Sequence, residues 1–362
     1  MSSVGHTSPS SRGSALSCAV CVVGQLARLE LESKVRHVVE PNLHAGHTIA
    51  LLMVLSQGAS KYVNSRTSER AQKVLLADGP FTLADERQLQ AAIWSQLGSR
   101  SNASAATSRF GLRISLEAET NLRYPADLVW AKHLNKAERG INASLRRQQL
   151  HILQWSHLRT CIFLVDAEEQ SKAGRRFGLV LKLRDDSFAL QPWLIPSSWA
   201  QMGLTSLHCM QWGGVMDSTF AVGRRWAWAI MEGLAADWYI SHYALKEAGI
   251  AIPHNPESWI AGLAKLKHVP MQTKALCELP FVSVRFVKYN ASAENAGMSL
   301  VVKRRHYQAA RHDESCWSTH IGPSEVFPDH GKLAQAKCAG AESMRATLDT
   351  LVMCPQQLCR SR

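Results

Sequence analysis

Two apolar runs near the start, and the pattern between them, constrain this chain most. Cys18-Ala-Val-Cys-Val-Val23 is apolar throughout, which suits a strand buried on both faces of a parallel sheet. The run breaks at Gly24-Gln25. Leu26, Leu29, Leu31, Val35, Val38 and Val39 then recur at helical spacing as far as Pro41, so a helix is expected over 27–40. Thr48 to Leu55 is apolar again and reads as a second strand. Strand, turn, helix and strand in so short a stretch make a βαβ unit. The chain opens as an α/β fold.

The same reading extends along the chain. Residues 1–16 are rich in Ser, Gly and Pro and are expected to be a flexible tail. Thr82-Leu-Ala-Asp85 looks like a helix start, with Gly98 at that helix's end. Phe110, Leu112, Ile114 and Leu116 alternate with other residues, a half-buried strand signal. A long helix is expected over 147–170, closed by Gly174, followed by a strand over 178–183. Trp226, Ile230, Leu234 and Trp238 form the stripe of another helix after Gly223, and Asn255-Pro256-Glu257 is a capped helix start. Phe281 to Tyr289 reads as a strand. Beyond residue 290 the sequence turns polar and irregular, with an Ala-rich helix near 333–352. The runs 18–23, 48–55 and 178–183 are expected to be neighbours in one mostly parallel sheet, flanked by the helices 27–40 and 147–170.

Composition narrows the function classes. The chain has 362 residues, 46% of them hydrophobic and 19% charged, which excludes a disordered or fibrous protein and allows a full core. No run approaches the roughly 18 apolar residues of a membrane span, so no transmembrane segment is expected, and Ala15 to Val23 is too short. The net charge of +12 comes from basic pairs spread well apart, without a basic arm, so nucleic acid is not the expected partner. Nine cysteines, an odd number, imply no disulfide framework. In Cys18-x-x-Cys21, strand geometry sends the two thiols to opposite faces, and zinc would need a second ligand pair that is not evident. A structural role is expected for both.

Three stretches carry chemistry. In Leu179-Val-Leu-Lys-Leu-Arg-Asp-Asp186, two consecutive acids follow a strand, where ligands of α/β sheets bind. Asp185 and Asp186 suit a hard cation, Mn2+ or Mg2+, with Arg184 beside a diphosphate; the alternative is a solvated acidic turn. In Cys209 to Gly223, Gly213 and Gly214 allow close backbone approach, Asp217 precedes the helix, and Trp212 offers a flat face for a sugar or base. Trp226 and Trp238 are expected in the core. The first turn, Gly24-Gln25 with Arg28, lacks any dinucleotide or P-loop pattern, yet a helix start there attracts phosphate.

Val-Val-Gly-Gln-Leu-Ala-Arg (22–28), Leu-Lys-Leu-Arg-Asp-Asp (181–186), Trp-Gly-Gly-Val-Met-Asp-Ser-Thr-Phe-Ala-Val-Gly (212–223) and Asn-Pro-Glu-Ser-Trp (255–259) stand in this order. Taken together they resemble a little-studied group of glycosyltransferase-like proteins of the GT-A type. The resemblance spans roughly residues 18–290. It implies a Rossmann-like sheet and a domain over 17–290, with 291–362 as an irregular, partly helical carboxy-terminal extension. It further implies that Asp185 and Asp186 hold the metal and that Gly24, Gln25 and Arg28 line the nucleotide. Gly213, Gly214 and Asp217 would line the sugar or acceptor, and Glu257 would be a further catalytic acid.

The function expected from this resemblance is metal-assisted transfer of a sugar from a nucleoside diphosphate sugar to a hydroxyl of a glycan or protein acceptor. Asp217 or Glu257 would position or deprotonate that hydroxyl. Two alternatives stand beside it: a non-catalytic carbohydrate- or nucleotide-binding protein on a degenerate transferase fold, and a basic polyanion or nucleic-acid binder. Three Asn-Ala-Ser sequons, at Asn102, Asn142 and Asn290, are compatible with the Golgi or secretory lumen if an anchor precedes this sequence; otherwise a cytoplasmic location is expected.

Overall fold

The computed structural model of the chain describes residues 15–58, 74–98, 108–118, 141–209, 214–239, 241–251, 253, 255–289, 298–320, 335–337 and 340–360. The expected tail falls almost wholly outside them, as do Asn102 and Asn290.

A seven-stranded sheet organises the molecule. Its strands are β1 (Ser17–Gln25), β2 (Thr48–Ser56), β4 (Phe110–Glu117), β5 (Leu179–Arg184), β7 (Leu204–Leu207), β8 (Thr219–Gly223) and β9 (Met271–Lys274). Their order across the sheet is β4-β2-β1-β5-β8-β7-β9. Every neighbouring pair is parallel except the two made by β8, which runs against both β5 and β7. The runs 18–23, 48–55 and 178–183 are thus adjacent parallel strands.

Alternate residues of β1 serve two cores. Cys18, Val20 and Val22 face a layer that contains Leu26, Leu29, Val35, Trp193 and Trp199. Ala19, Cys21 and Val23 face another, built on Trp155, Leu158, Ile162, Trp238 and Trp259. The second face is covered by the long helix Ile141–Ser171, together with Arg224–Met231 and Pro256–Leu266. Asn255 caps the last of these, its side chain accepting from the Ser258 N–H at 2.7 Å. Trp238 is core, as its stripe implied, and Trp226 packs partly buried against the same cluster.

Several local expectations are corrected. The segment 27–40 is not one α-helix: Leu26–Arg28 is a 3-10 turn, Lys34–Val39 a π-helical stretch, and Glu40–His44 an α-helix. Pro41 does not stop the helix but sits in the first turn of Glu40–His44, directly after the π-helical stretch. The helix Glu86–Gly98 is capped by Asp85, which accepts from the Gln88 N–H at 2.8 Å; the Thr82 hydroxyl instead donates to Gly79.

The cysteines depart further from expectation. Cys18 and Cys21 do face opposite sides of the sheet. Cys21, however, bonds to Cys161 of the long helix, and Cys209 bonds to Cys316. Cys277 is also disulfide-bonded. Cys18 stays a buried free thiol, its pKa pushed up to about 12 by burial. An odd count never forbade pairing among the others.

A second, antiparallel sheet lies beside the first. Its centre, β10 (Phe281–Tyr289), pairs with β3 (Val74–Leu76), β6 (Ser187–Ala189) and β11 (Met298–Val302). Residues beyond 290 therefore enter the fold: β11 joins this sheet, and Ala310, Trp317, Met344 and Leu348 are in the same core as β1. No helix among the described residues is long and apolar enough to cross a membrane.

Candidate functional site

Strand order reverses between β1 and β5: from β1 the chain proceeds to β2 and β4 on one side, and returns at β5 on the other. In open α/β sheets, this is where the strand ends leave a crevice for a ligand. Gly24-Gln25 closes β1, and Arg184-Asp185-Asp186 closes β5, with Val23 opposite Arg184 in register. The Asp185 N–H donates to the Val23 carbonyl at 2.9 Å, and the Gln25 N–H donates to the Asp185 carboxylate at 3.0 Å. Gly24 has φ +145°, and a Cβ there would overlap the Asp185 carboxylate. Glycine is needed on both counts.

Arg28 completes this turn. Its Nε donates to Asp185 Oδ2 at 2.7 Å and its Nη2 to Oδ1 at 3.1 Å, a two-point pairing. Burial opposes the charge on Arg28, but Asp185 and Asp186 outweigh it and raise the pKa.

Arg184 is the centre of a second group. Its Nε donates to Asp186 Oδ1 at 2.6 Å, its Nη1 to Asp217 Oδ2 at 2.9 Å, and its Nη2 to the Ser283 hydroxyl at 3.1 Å. Asp186 also accepts from the Lys303 ammonium. Burial would favour protonation of Asp186, yet Arg184, Lys303 and Arg28 hold its carboxyl well below the usual range. Asp217 is brought to about 2 in the same way, by Arg184 and then Lys182 against the effect of burial.

Two lysines lie underneath. Lys34 donates to the Asp185 carbonyl at 3.0 Å and to Ser187, and pairs with Glu30 at 3.6 Å. Lys182, fully buried in the middle of β5, donates to the Asp217 carbonyl; burial, only partly offset by Asp217, lowers its pKa to about 7. Lys303 is lowered to about 8 by burial and the adjoining Arg184. His306 accepts the Ser283 N–H at 3.1 Å and is held neutral, at about 3, by burial and the positive charge of Lys303.

Gly24, Gln25, Arg28, Arg184, Asp185, Asp186 and Asp217 thus meet in one network. Gly214 packs against the backbone of Glu257, whose carbonyl accepts the Val215 N–H at 3.0 Å, so the first turn of Pro256–Leu266 holds the segment leading to Asp217. Trp212 and Gly213 lie outside the described residues.

A divalent cation does not fit this arrangement. The Asp185 and Asp186 side chains are 0% and 3% exposed, and the groups outside them are Arg28 and Lys303, at 22% and 20%. The oxygens a metal needs are already taken by guanidinium and ammonium. Among the described residues, no three His, Cys, Asp or Glu cluster as a metal set would.

Lys182, Lys303 and His306 escaped the sequence reading. Lys182 left a trace, a lysine in the middle of an apolar strand. Lys303 looked like part of a solvated basic run, and only the pairing of β11 with β10 brings it to Asp186.

No family model matches the chain, and no curated protein matches it. Among solved structures, mouse xyloside xylosyltransferase 1 in its apo form is similar over 72% of this chain and 86% of that chain, with 8% identity and a TM-score of 0.30. At that score the likeness carries no statement about residues or substrate.

Proposed function

We propose that this chain binds a nucleoside diphosphate sugar at the β1/β5 crevice and transfers the sugar to an acceptor hydroxyl on a glycan or a protein. One observation carries the reading: Gly24-Gln25 and Arg184-Asp185-Asp186, from two adjacent parallel strands, are bonded together where the strand order reverses. The mostly parallel sheet with one reversed strand is consistent with the GT-A-type fold that the sequence resemblance implies.

In such a transfer the bond from the sugar to the diphosphate breaks, and the acceptor oxygen forms the new bond and loses its proton. Most charge develops on the departing diphosphate, so fixed donors beside it favour the transition state. Arg28 supplies such donors here. Asp217, held near 2 and tied to Arg184, is a poor proton acceptor at neutral pH and positions rather than deprotonates. Glu257, at the first turn of its helix beside Val215, is the carboxylate we assign as the base that takes the acceptor proton. The paired aspartates suggest Mn2+ or Mg2+, but both are bonded to Arg28, Arg184 and Lys303, and the transfer proposed here uses no cation on them.

The disulfides Cys21–Cys161 and Cys209–Cys316 favour an oxidising compartment, in keeping with the Asn-Ala-Ser sequons. The test is a thermal-shift panel of nucleoside diphosphates, run with and without Mn2+, followed by donor hydrolysis with the best sugar donor. Stabilisation that depends on the base supports the reading, because a ligand of the native state raises its melting temperature. No shift with any of the panel under either condition would remove it.

A further inference from the structure

We propose that the β1/β5 crevice binds its diphosphate without a divalent cation, the protein's own Arg28 and Lys303 standing where a metal would. The inference rests on the nucleotide-site reading and deepens it. Three features of the site lead to it.

The layering of charge comes first. Asp185 and Asp186 lie at the bottom of the site, and the cations bonded to them form the partly exposed layer above. A dianionic phosphate approaching the crevice meets guanidinium and ammonium before it meets carboxylate. A metal approaching the same surface is repelled, and it would have to displace both cations to reach the oxygens.

The second feature is spare donor capacity. Arg28 spends Nε and Nη2 on Asp185, and among the described residues its Nη1 has no acceptor. The Lys303 ammonium spends one proton on Asp186 and, among the described residues, makes no other side-chain bond. These donors are held in place by buried carboxylates, so ordering them costs little when an anion arrives. The aspartates act here as positioning residues.

The third is the origin of Lys303. It follows β11 directly, and its N–H donates to the Ser283 carbonyl of β10 at 2.8 Å, which fixes the base of the side chain. The segment beyond residue 290 thus completes the site with a cation that β1 and β5 do not provide.

The experiment uses the full chain and inorganic pyrophosphate as probe, by calorimetry in EDTA and in Mg2+, on the wild type, Lys303→Met and Lys303→Arg. We expect binding of similar strength in both buffers. Lys303→Met should weaken it about tenfold or more, the value of one charge-assisted bond, while Lys303→Arg keeps most of it. The arginine variant retains a partner for Asp186, so its binding separates loss of the donor from loss of the fold. Affinity that appears only with Mg2+ overturns the proposal, as does no pyrophosphate binding in either buffer, or binding unchanged in Lys303→Met. The two readings part cleanly. Nucleoside diphosphates that bind only with Mg2+ leave the transferase reading standing and sink this one. Pyrophosphate that binds in EDTA with no gain from any nucleoside does the reverse.

Discussion

Arg28 and Asp185, 157 residues apart in sequence, meet through two parallel bonds of 2.7 and 3.1 Å, and so tie the first strand of the sheet to the strand beside it. Asp185 is completely buried. Its carboxylate also accepts the Gln25 N–H, so one side chain holds the turn that follows β1. Asp185→Ala should cost about 3–5 kcal/mol, because it strands a partly buried guanidinium without its counter-charge. Urea unfolding of the variant measures this, and a loss under about 1 kcal/mol would show that the pairing contributes little.

Asp186→Ala tests the same logic one residue on. A carboxylate reserved for a cation would be dispensable to the fold, since losing it relieves repulsion in the empty site. Asp186 instead neutralises Arg184 and Lys303. Its removal is expected to lower the melting temperature by several degrees, in line with a loss of about 3 kcal/mol or more. A melting temperature at or above that of the wild type would return Asp186 to a metal-holding role.

Gly24→Ala should destabilise by at least about 2 kcal/mol, from overpacking and backbone strain together. At φ +145° an alanine is strained before any contact is considered, and its methyl group would displace the Asp185 carboxylate from Arg28. Thermal unfolding gives the stability loss, and pyrophosphate binding on the same variant should fall as well. Wild-type stability would mean that the turn re-forms around the added methyl.

Acid stability should report on His157. Burial holds its pKa down at about 4, although Glu117 Oε2 lies 3.5 Å from its Nε2. The unfolded chain binds a proton near pH 6.5, so between about 6.5 and 4 it takes up a proton that the folded protein refuses. Stability contributed by the neutral ring is present above pH 6.5, is lost as the pH falls through that window, and changes no further below about 4. The full loss is about 3 kcal/mol. His157→Leu, compared with the wild type at pH 7 and pH 4.5, should flatten that part of the profile. An identical slope in the two proteins would mean that the ring is protonated in the fold.

The Cys21–Cys161 bond pins β1 to the helix behind it across 140 residues. The double variant Cys21→Ala/Cys161→Ala should lose about 2–4 kcal/mol. Reductant should then affect the variant less than the wild type, with the remaining effect due to Cys209–Cys316 and the disulfide of Cys277. Equal sensitivity to reductant would show that the bond is not formed in solution.

The sequence by itself determined the parallel centre of the sheet. Runs such as 18–23 and 49–55 are apolar at every position, and only a strand covered on both faces buries both sets of side chains. It also singled out Gly24, Gln25, Arg28, Arg184, Asp185, Asp186 and Asp217, because turns after strands advertise themselves through glycine and charge. Tertiary structure alone decided what those charges face. Whether a carboxylate points at solvent, at a cation or at an open site depends on partners more than a hundred residues away, and no local pattern records them. Asp185 reads as a metal ligand until Arg28 is seen on it, and Lys303 reads as a solvated helix start until β11 docks on β10. The short strands β7 and β8 were missed for a related reason. With four and five residues, they are held in the sheet by their neighbours, and a run that short carries no periodicity of its own.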